Sequence, residues 1–150
     1  MRLQSIAVGA ISLLLVACNQ AHTNAVNANP KPDVRAIVTE KARKHGVPVA
    51  LAHGVVKVES GYDCKAVNRS SNATGAMQVL PRTARGVGIH GNLKDCRTGV
   101  EAGMRYLALA LDRADGDWCG AATLYNRGIY ARAVRSAYCR KVLTYAKGES

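Results

Sequence analysis

Val47-Pro48-Val49-Ala50-Leu51-Ala52-His53-Gly54-Val55-Val56-Lys57-Val58-Glu59-Ser60-Gly61 is the stretch whose reading decides the fold. Pro48 suits the first turn of a helix, because its fixed φ is already helical and its missing N–H would be unpaired there anyway. Val49, Leu51, Ala52, Val55 and Val56 make the following turns so apolar that the helix has to lie in a core. Glu59 closes that run just before Ser60-Gly61 turns the chain. A carboxylate at the end of a buried helix loses part of its water, which raises its pKa and lets it hold a proton near neutral pH. Taken without its surroundings, the same residue is an ordinary solvated helix-end glutamate.

Working outward, the pattern stays helical. Asp33 is placed to cap a helix with Val34, Ile37, Val38 and Ala42 on one face, ending at Gly46. Gly61 to Ala76 holds Asn, Ser, Thr and Gly without a period and reads as a long connection around a functional surface. Pro81 opens a short helix to about Gly86. Val100, Met104, Leu107, Ala108 and Leu111 give a longer one over roughly Thr98 to Ala114. Asp117 caps the next, through about Asn126, and Ser136 to Ala146 supplies the last. With no strand-type alternation and no internal repeat, the expectation is one all-α domain over residues 33–150.

Residues 1–17 read as a lipoprotein signal peptide. The apolar run from Ile6 to Ala17 is too short to cross a bilayer core of roughly 30 Å, but it suits an export signal. Leu15-Val16-Ala17-Cys18 resembles the bacterial lipobox, which implies lipidation at Cys18, with residues 18–32 as anchor and tether. Asn19 after the cysteine points, by resemblance to Gram-negative lipoproteins, to the periplasmic face of the outer membrane. Removing Cys18 from the 5 cysteines leaves an even set, Cys64, Cys96, Cys119 and Cys139, in a compartment where disulfides persist. Three pairings are open. Cys64 with Cys96 and Cys119 with Cys139 are preferred because each closes a local loop.

The formal charge of +11 is spread along the chain, which implies either an anionic partner or only a soluble surface. Nucleic acid is a poor candidate, since export and the lack of an aromatic-rich basic surface both oppose it. His22, His45, His53 and His90 are scattered, none at a metal-ligand spacing, and no nucleotide loop or nucleophile elbow is present, so neither metal nor cofactor is expected.

Four separated segments, in order, resemble the catalytic domain of the lytic transglycosylases, bacterial enzymes of goose-type lysozyme-like fold. They are Glu59-Ser60-Gly61-Tyr62, Gly75-Ala76-Met77-Gln78-Val79-Leu80-Pro81-Arg82-Thr83-Ala84, Gly103-Met104-Arg105-Tyr106-Leu107 and Ala122-Thr123-Leu124-Tyr125-Asn126-Arg127-Gly128. The second is similar to the family's Gly-Leu-Met-Gln with a following Pro-x-Thr-Ala, and the fourth to its Ala-Tyr-Asn-x-Gly. The resemblance spans roughly Val47 to Val142 and implies a lysozyme-like helical domain with an active-site cleft. It makes Glu59 the catalytic acid and then base, with Met77 and Gln78 lining the sugar cleft, Tyr125 beside Glu59 and Asn126 stabilising the local backbone. Ser60 and Tyr106 join the expected substrate contacts, while Tyr62, Tyr106 and Tyr138 serve equally well as core tyrosines. Ala76 stands where the family usually has leucine, which would reshape the pocket floor. The connection after Val67 leaves Asn68, Ser70 and Ser71 as alternatives for one substrate-contacting position.

The activity implied is cleavage of the bond from N-acetylmuramic acid to N-acetylglucosamine in peptidoglycan, with the muramic C6 hydroxyl as internal nucleophile and a 1,6-anhydro end as product. One carboxylate suffices for that chemistry, whereas retaining and inverting glycosidases normally use two. The nearest second carboxylate, Asp63, adjoins Cys64 and is expected at the surface. Alternatives are a hydrolytic muramidase using Glu59 to deliver water, and a non-catalytic peptidoglycan-binding accessory of a secretion apparatus.

Overall fold

The computed structural model of the chain describes residues 33–148. The expected signal peptide, Cys18, the tether and His22 lie outside the described residues. Among the described residues six helices follow one another: α1 (Val34–Lys44), α2 (Val49–Glu59), α3 (Pro81–Gly86), α4 (Cys96–Arg113), α5 (Trp118–Arg127) and α6 (Ala137–Lys147). Among the described residues the only β-type pairings are isolated antiparallel bridges, Val67 with Thr74 and Thr74 with Val79. The fold is therefore all-α, as the apolar periods imply.

Helix starts are set locally. The side chains of Asp33, Asp95, Asp117 and Ser136 each accept a hydrogen bond from a backbone N–H of the first turn that they cap. Asp95 moves the start of α4 two residues ahead of the expected Thr98: its Oδ1 accepts from Thr98 N at 2.9 Å and from Thr98 Oγ1 at 2.8 Å. Pro48, which has no side-chain donor or acceptor, sits at the N-cap of α2 without such a bond.

The core is built from small and aliphatic side chains. α2 is its centre, with Leu51, Ala52, Val55 and Val56 fully buried, flanked by α1 on one side and α6 on the other. α4 packs across α1, α3 and α5. Gly54 permits the close approach of α2 and α6, for a Cβ there would stand 2.5 Å from the Val142 carbonyl oxygen. Gly103 does the same for Met77, whose Sδ would lie 2.5 Å from an added Cβ.

Glu101 ties α1 to α4. Its carboxylate lies 3.1 Å from Lys44 Nζ, 3.0 Å from His45 Nε2, 3.3 Å from Lys41 Nζ and 3.0 Å from Arg105 Nε. Burial alone would raise its pKa, but the hydrogen bonds from Lys44, Arg105, His45 and Lys41 outweigh it and lower the pKa to about 2.

Both disulfides have the preferred pairing. Cys64–Cys96 pins the long connection to the start of α4, and Cys119–Cys139 joins the first turns of α5 and α6. Their separations of 32 and 20 residues correspond to about 3 to 4 kcal/mol each in the loop-entropy treatment. Among the described residues no helix is long and apolar enough to cross a membrane.

Candidate active site

The connection from Ser60 to Leu80 folds back over the end of α2. Asn68 Oδ1 accepts from Ser70 N at 3.0 Å, Ser70 Oγ at 2.7 Å and Ser71 N at 3.3 Å, which closes one tight turn. Thr74 and Val79 exchange backbone bonds at 3.1 Å across a second turn, in which Gln78 adopts φ 47°. Gln78 Nε2 donates to the carbonyls of Gly75 at 3.1 Å and Ala66 at 3.3 Å, and this fixes the turn from within. The result is one wall of a cleft of 440 Å³, a volume in the usual range for ligand sites. Glu59 lies in it, with Gln78 and Asn68 contributed by that connection, Tyr106 by α4, and Tyr125 and Asn126 by α5.

Glu59 is half-buried at the C-terminal end of α2. Tyr138, from the first turn of α6, donates its hydroxyl to Glu59 Oε1 at 2.5 Å, the length of a charge-assisted bond. Burial pushes the Glu59 carboxyl up from the ordinary carboxylate range, and the Tyr138 bond pulls the other way without cancelling it. Burial and then the Glu59 charge hold the Tyr138 and Tyr125 hydroxyls well above their usual pKa, so both remain neutral donors. Tyr125 donates to the Met77 carbonyl at 2.8 Å and its ring meets Tyr106 at 5.5 Å; the Tyr106 hydroxyl in turn accepts from Ile129 N at 3.2 Å. A rigid aromatic pair thus stands beside one carboxylic acid.

Of the residues expected at the site, the cleft gathers Glu59, Gln78, Tyr106, Tyr125 and Asn126. Met77 lies away from the cleft lining: its side chain is fully buried against Gly103, and its carbonyl accepts from Tyr125. Ser60 is also outside the lining, its hydroxyl donating to the Ala76 carbonyl at 2.7 Å and accepting from Asp63 N at 3.0 Å. Ala76 is buried and does not form the cleft floor. Asn126 is exposed on the cleft wall rather than bonded to nearby backbone.

Between the three alternatives in the connection, Asn68 and Ser71 reach the cleft and Ser70 does not. Tyr62 belongs to the core, bonded to His53 Nδ1 at 2.9 Å under the Arg35 guanidinium, while His53 Nε2 pairs with Thr39 at 2.9 Å. Tyr138 is the partner of Glu59 that the sequence left undecided. Arg82, Thr83 and Arg127 also line the cleft and were not singled out; all three lie within the quoted segments, which was the available signal.

Among the described residues lining this cleft Glu59 is the sole carboxylate. Asp63 is exposed and accepts from Lys65 N at 2.8 Å, outside the cleft. No group of three or more His, Cys, Asp or Glu is disposed to hold a metal ion among the described residues. The arrangement can donate a proton from a partly desolvated acid and then stabilise the resulting carboxylate through Tyr138.

The chain is 35% identical over 83 residues to the membrane-bound lytic murein transglycosylase C of Haemophilus ducreyi, a match covering 49% of this chain and 22% of that protein. The chain thus spans about a fifth of the length of this curated relative. An inactive mutant of the lytic transglycosylase Slt from Pseudomonas aeruginosa has a similar structure, with a TM-score of 0.66 and 22% identity over 75% of this chain and 23% of that one. That likeness establishes the lysozyme-like fold. The sequence model described as the transglycosylase SLT domain matches residues 36–143, which include all six helices from the third residue of α1 to the middle of α6, and the chain belongs to that family.

Proposed function

We propose that this protein is a peptidoglycan lytic transglycosylase with Glu59 as its single catalytic carboxylate. The observation that carries the proposal is a lone, half-buried glutamate with a raised pKa in a cleft that no second carboxylate lines. Protonated Glu59 gives its proton to the oxygen linking N-acetylmuramic acid to N-acetylglucosamine, and the bond from that oxygen to the muramic C1 breaks. The N-acetylglucosamine leaves with a free hydroxyl. Glu59, now a carboxylate held by Tyr138, takes the proton of the muramic C6 hydroxyl as its oxygen bonds to C1. The proton count is restored, water is not consumed, and the product is a 1,6-anhydro end. Gln78, Tyr125, Tyr106 and Asn126 position the sugars.

The family membership and the name of the Haemophilus relative support peptidoglycan as substrate and a membrane-associated periplasmic place of action. We place the anchor at Cys18, by lipid, in the outer membrane, and the role in wall turnover or in opening the wall for a secretion apparatus. Acylation is tested by the mass of the N-terminal peptide and by detergent-phase partition of the native protein. The reaction is tested by mass analysis of muropeptides released from purified sacculi. Wild-type products should be lighter by one water than reducing-end muropeptides. Glu59→Gln should lose at least about 100-fold of activity, the lower bound of general acid–base catalysis, and Asp63→Asn should keep most of it. Reducing-end products would establish a hydrolytic muramidase instead, and full activity in Glu59→Gln would remove Glu59 from the chemistry.

A further inference from the structure

Arg82, the second residue of α3, and Arg127, the last of α5, line the same cleft as Glu59. Both are exposed, and among the described residues neither guanidinium takes part in an ion pair or a hydrogen bond. Every other acidic side chain is absent from the lining, which leaves Glu59 as the sole carboxylate there. The cleft therefore carries two uncompensated guanidiniums from separate elements. Positive charge in a cleft with no compensating carboxylate beside it favours an occupant that brings negative charge. Both arginines also fill the x of the quoted Pro-x-Thr-Ala and Ala-Tyr-Asn-x-Gly segments, positions that the motif leaves open.

Resting on the function proposed above, we infer that Arg82 and Arg127 are specificity-determining residues that bind carboxylates carried by the glycan strand. The sugar rings, hydroxyls and N-acetyl groups are neutral and offer a guanidinium little. A carboxylate offers bidentate, charge-assisted bonds. It comes from one of two sources in peptidoglycan: the stem peptide, or the muramic lactyl group once the stem has been removed. Because both arginines are exposed, each contact contributes up to about 5-fold in affinity, and added salt weakens it.

Binding is read separately from cleavage, in the full-length protein carrying Glu59→Gln, by fluorescence titration. Three ligands are used: soluble strands with stems, strands stripped by an amidase so that the lactyl carboxylate is free, and neutral N-acetylglucosamine oligomers. At least one anionic strand should bind roughly ten-fold tighter than the neutral oligomer. That ratio should fall towards one in the Arg82→Gln/Arg127→Gln double variant and with rising salt. Whichever anionic strand binds tighter names the source. Arg85→Gln removes an equal charge from α3 outside this cleft, on the face lined by Ile89 and His90, and should retain the preference. Equal binding of all three ligands by the parent protein, or an equal loss of preference in Arg85→Gln and the double variant, overturns the inference. Preferential binding without any cleavage by the wild type would instead overturn the proposed reaction and leave the arginine assignment standing.

Discussion

Replacing Tyr138 by Phe keeps the ring that packs at the start of α6 and deletes only the hydroxyl that reaches Glu59 Oε1 at 2.5 Å. That bond is accepted by the charged form of Glu59, so it lowers the pKa that burial raises. A hydrogen bond to a charged group contributes about 1.5 to 3 kcal/mol, so its loss should move the Glu59 ionisation upward. In the proposed reaction Glu59 must be protonated to act, so the alkaline limb of kcat/KM against pH should shift to higher pH. At the same time kcat should fall, because the carboxylate formed after proton donation has lost its donor. The assay is the pH profile of glycan-strand cleavage, with far-ultraviolet circular dichroism checking that the fold survives. An alkaline limb that stays in place, or moves to lower pH, would refute the idea that Tyr138 sets the acidity of Glu59.

Two further outcomes follow from the packing. Glu101→Gln should destabilise the domain by at most about 3 kcal/mol at neutral pH, less to the extent that solvent screens Lys44 and Arg105. Because the Glu101 pKa is depressed from 4.5 to about 2, its stabilisation is complete above the unfolded value and is lost as pH falls through that window. Urea unfolding from neutral to acid pH should thus show wild type and variant converging, and parallel curves would contradict it. Gly54→Ala sets a gain in helix propensity of about 1 kcal/mol against a Cβ placed 2.5 Å from the Val142 carbonyl oxygen. Overpacking against backbone costs about 1 to 3 kcal/mol, so the variant should be less stable and, by parting α2 from α6, less active. A more stable variant with full activity would show that the α2–α6 spacing is not critical.

The elements were legible where their causes are local. Asp33, Asp117 and Ser136 cap helices through bonds to N–H groups two or three residues away, and the apolar stripe of α4 recurs along one helix face. The cysteine count implied two disulfides, while the choice among three pairings needed the positions of α4, α5 and α6. Glu59 stood out because it ends an apolar run, and the quoted segments located Gln78, Tyr106, Tyr125 and Asn126.

What was not legible depends on which side of a folded backbone faces the cleft. Met77 and Gln78 are neighbours, yet a turn with Gln78 at φ 47° sends one side chain into the core and the other to the wall. Ser60 follows Glu59 directly, yet it is consumed in holding Ala76. Tyr138 is 79 residues from Glu59 and meets it only because α2 packs against α6. By itself, then, the sequence determined the helices and their caps and singled out Glu59, since these rest on interactions within a few residues. The tertiary structure alone decided the acidity of Glu59, its tyrosine partner and the unpaired arginines of the cleft, since burial and long-range contacts arise only when distant helices pack.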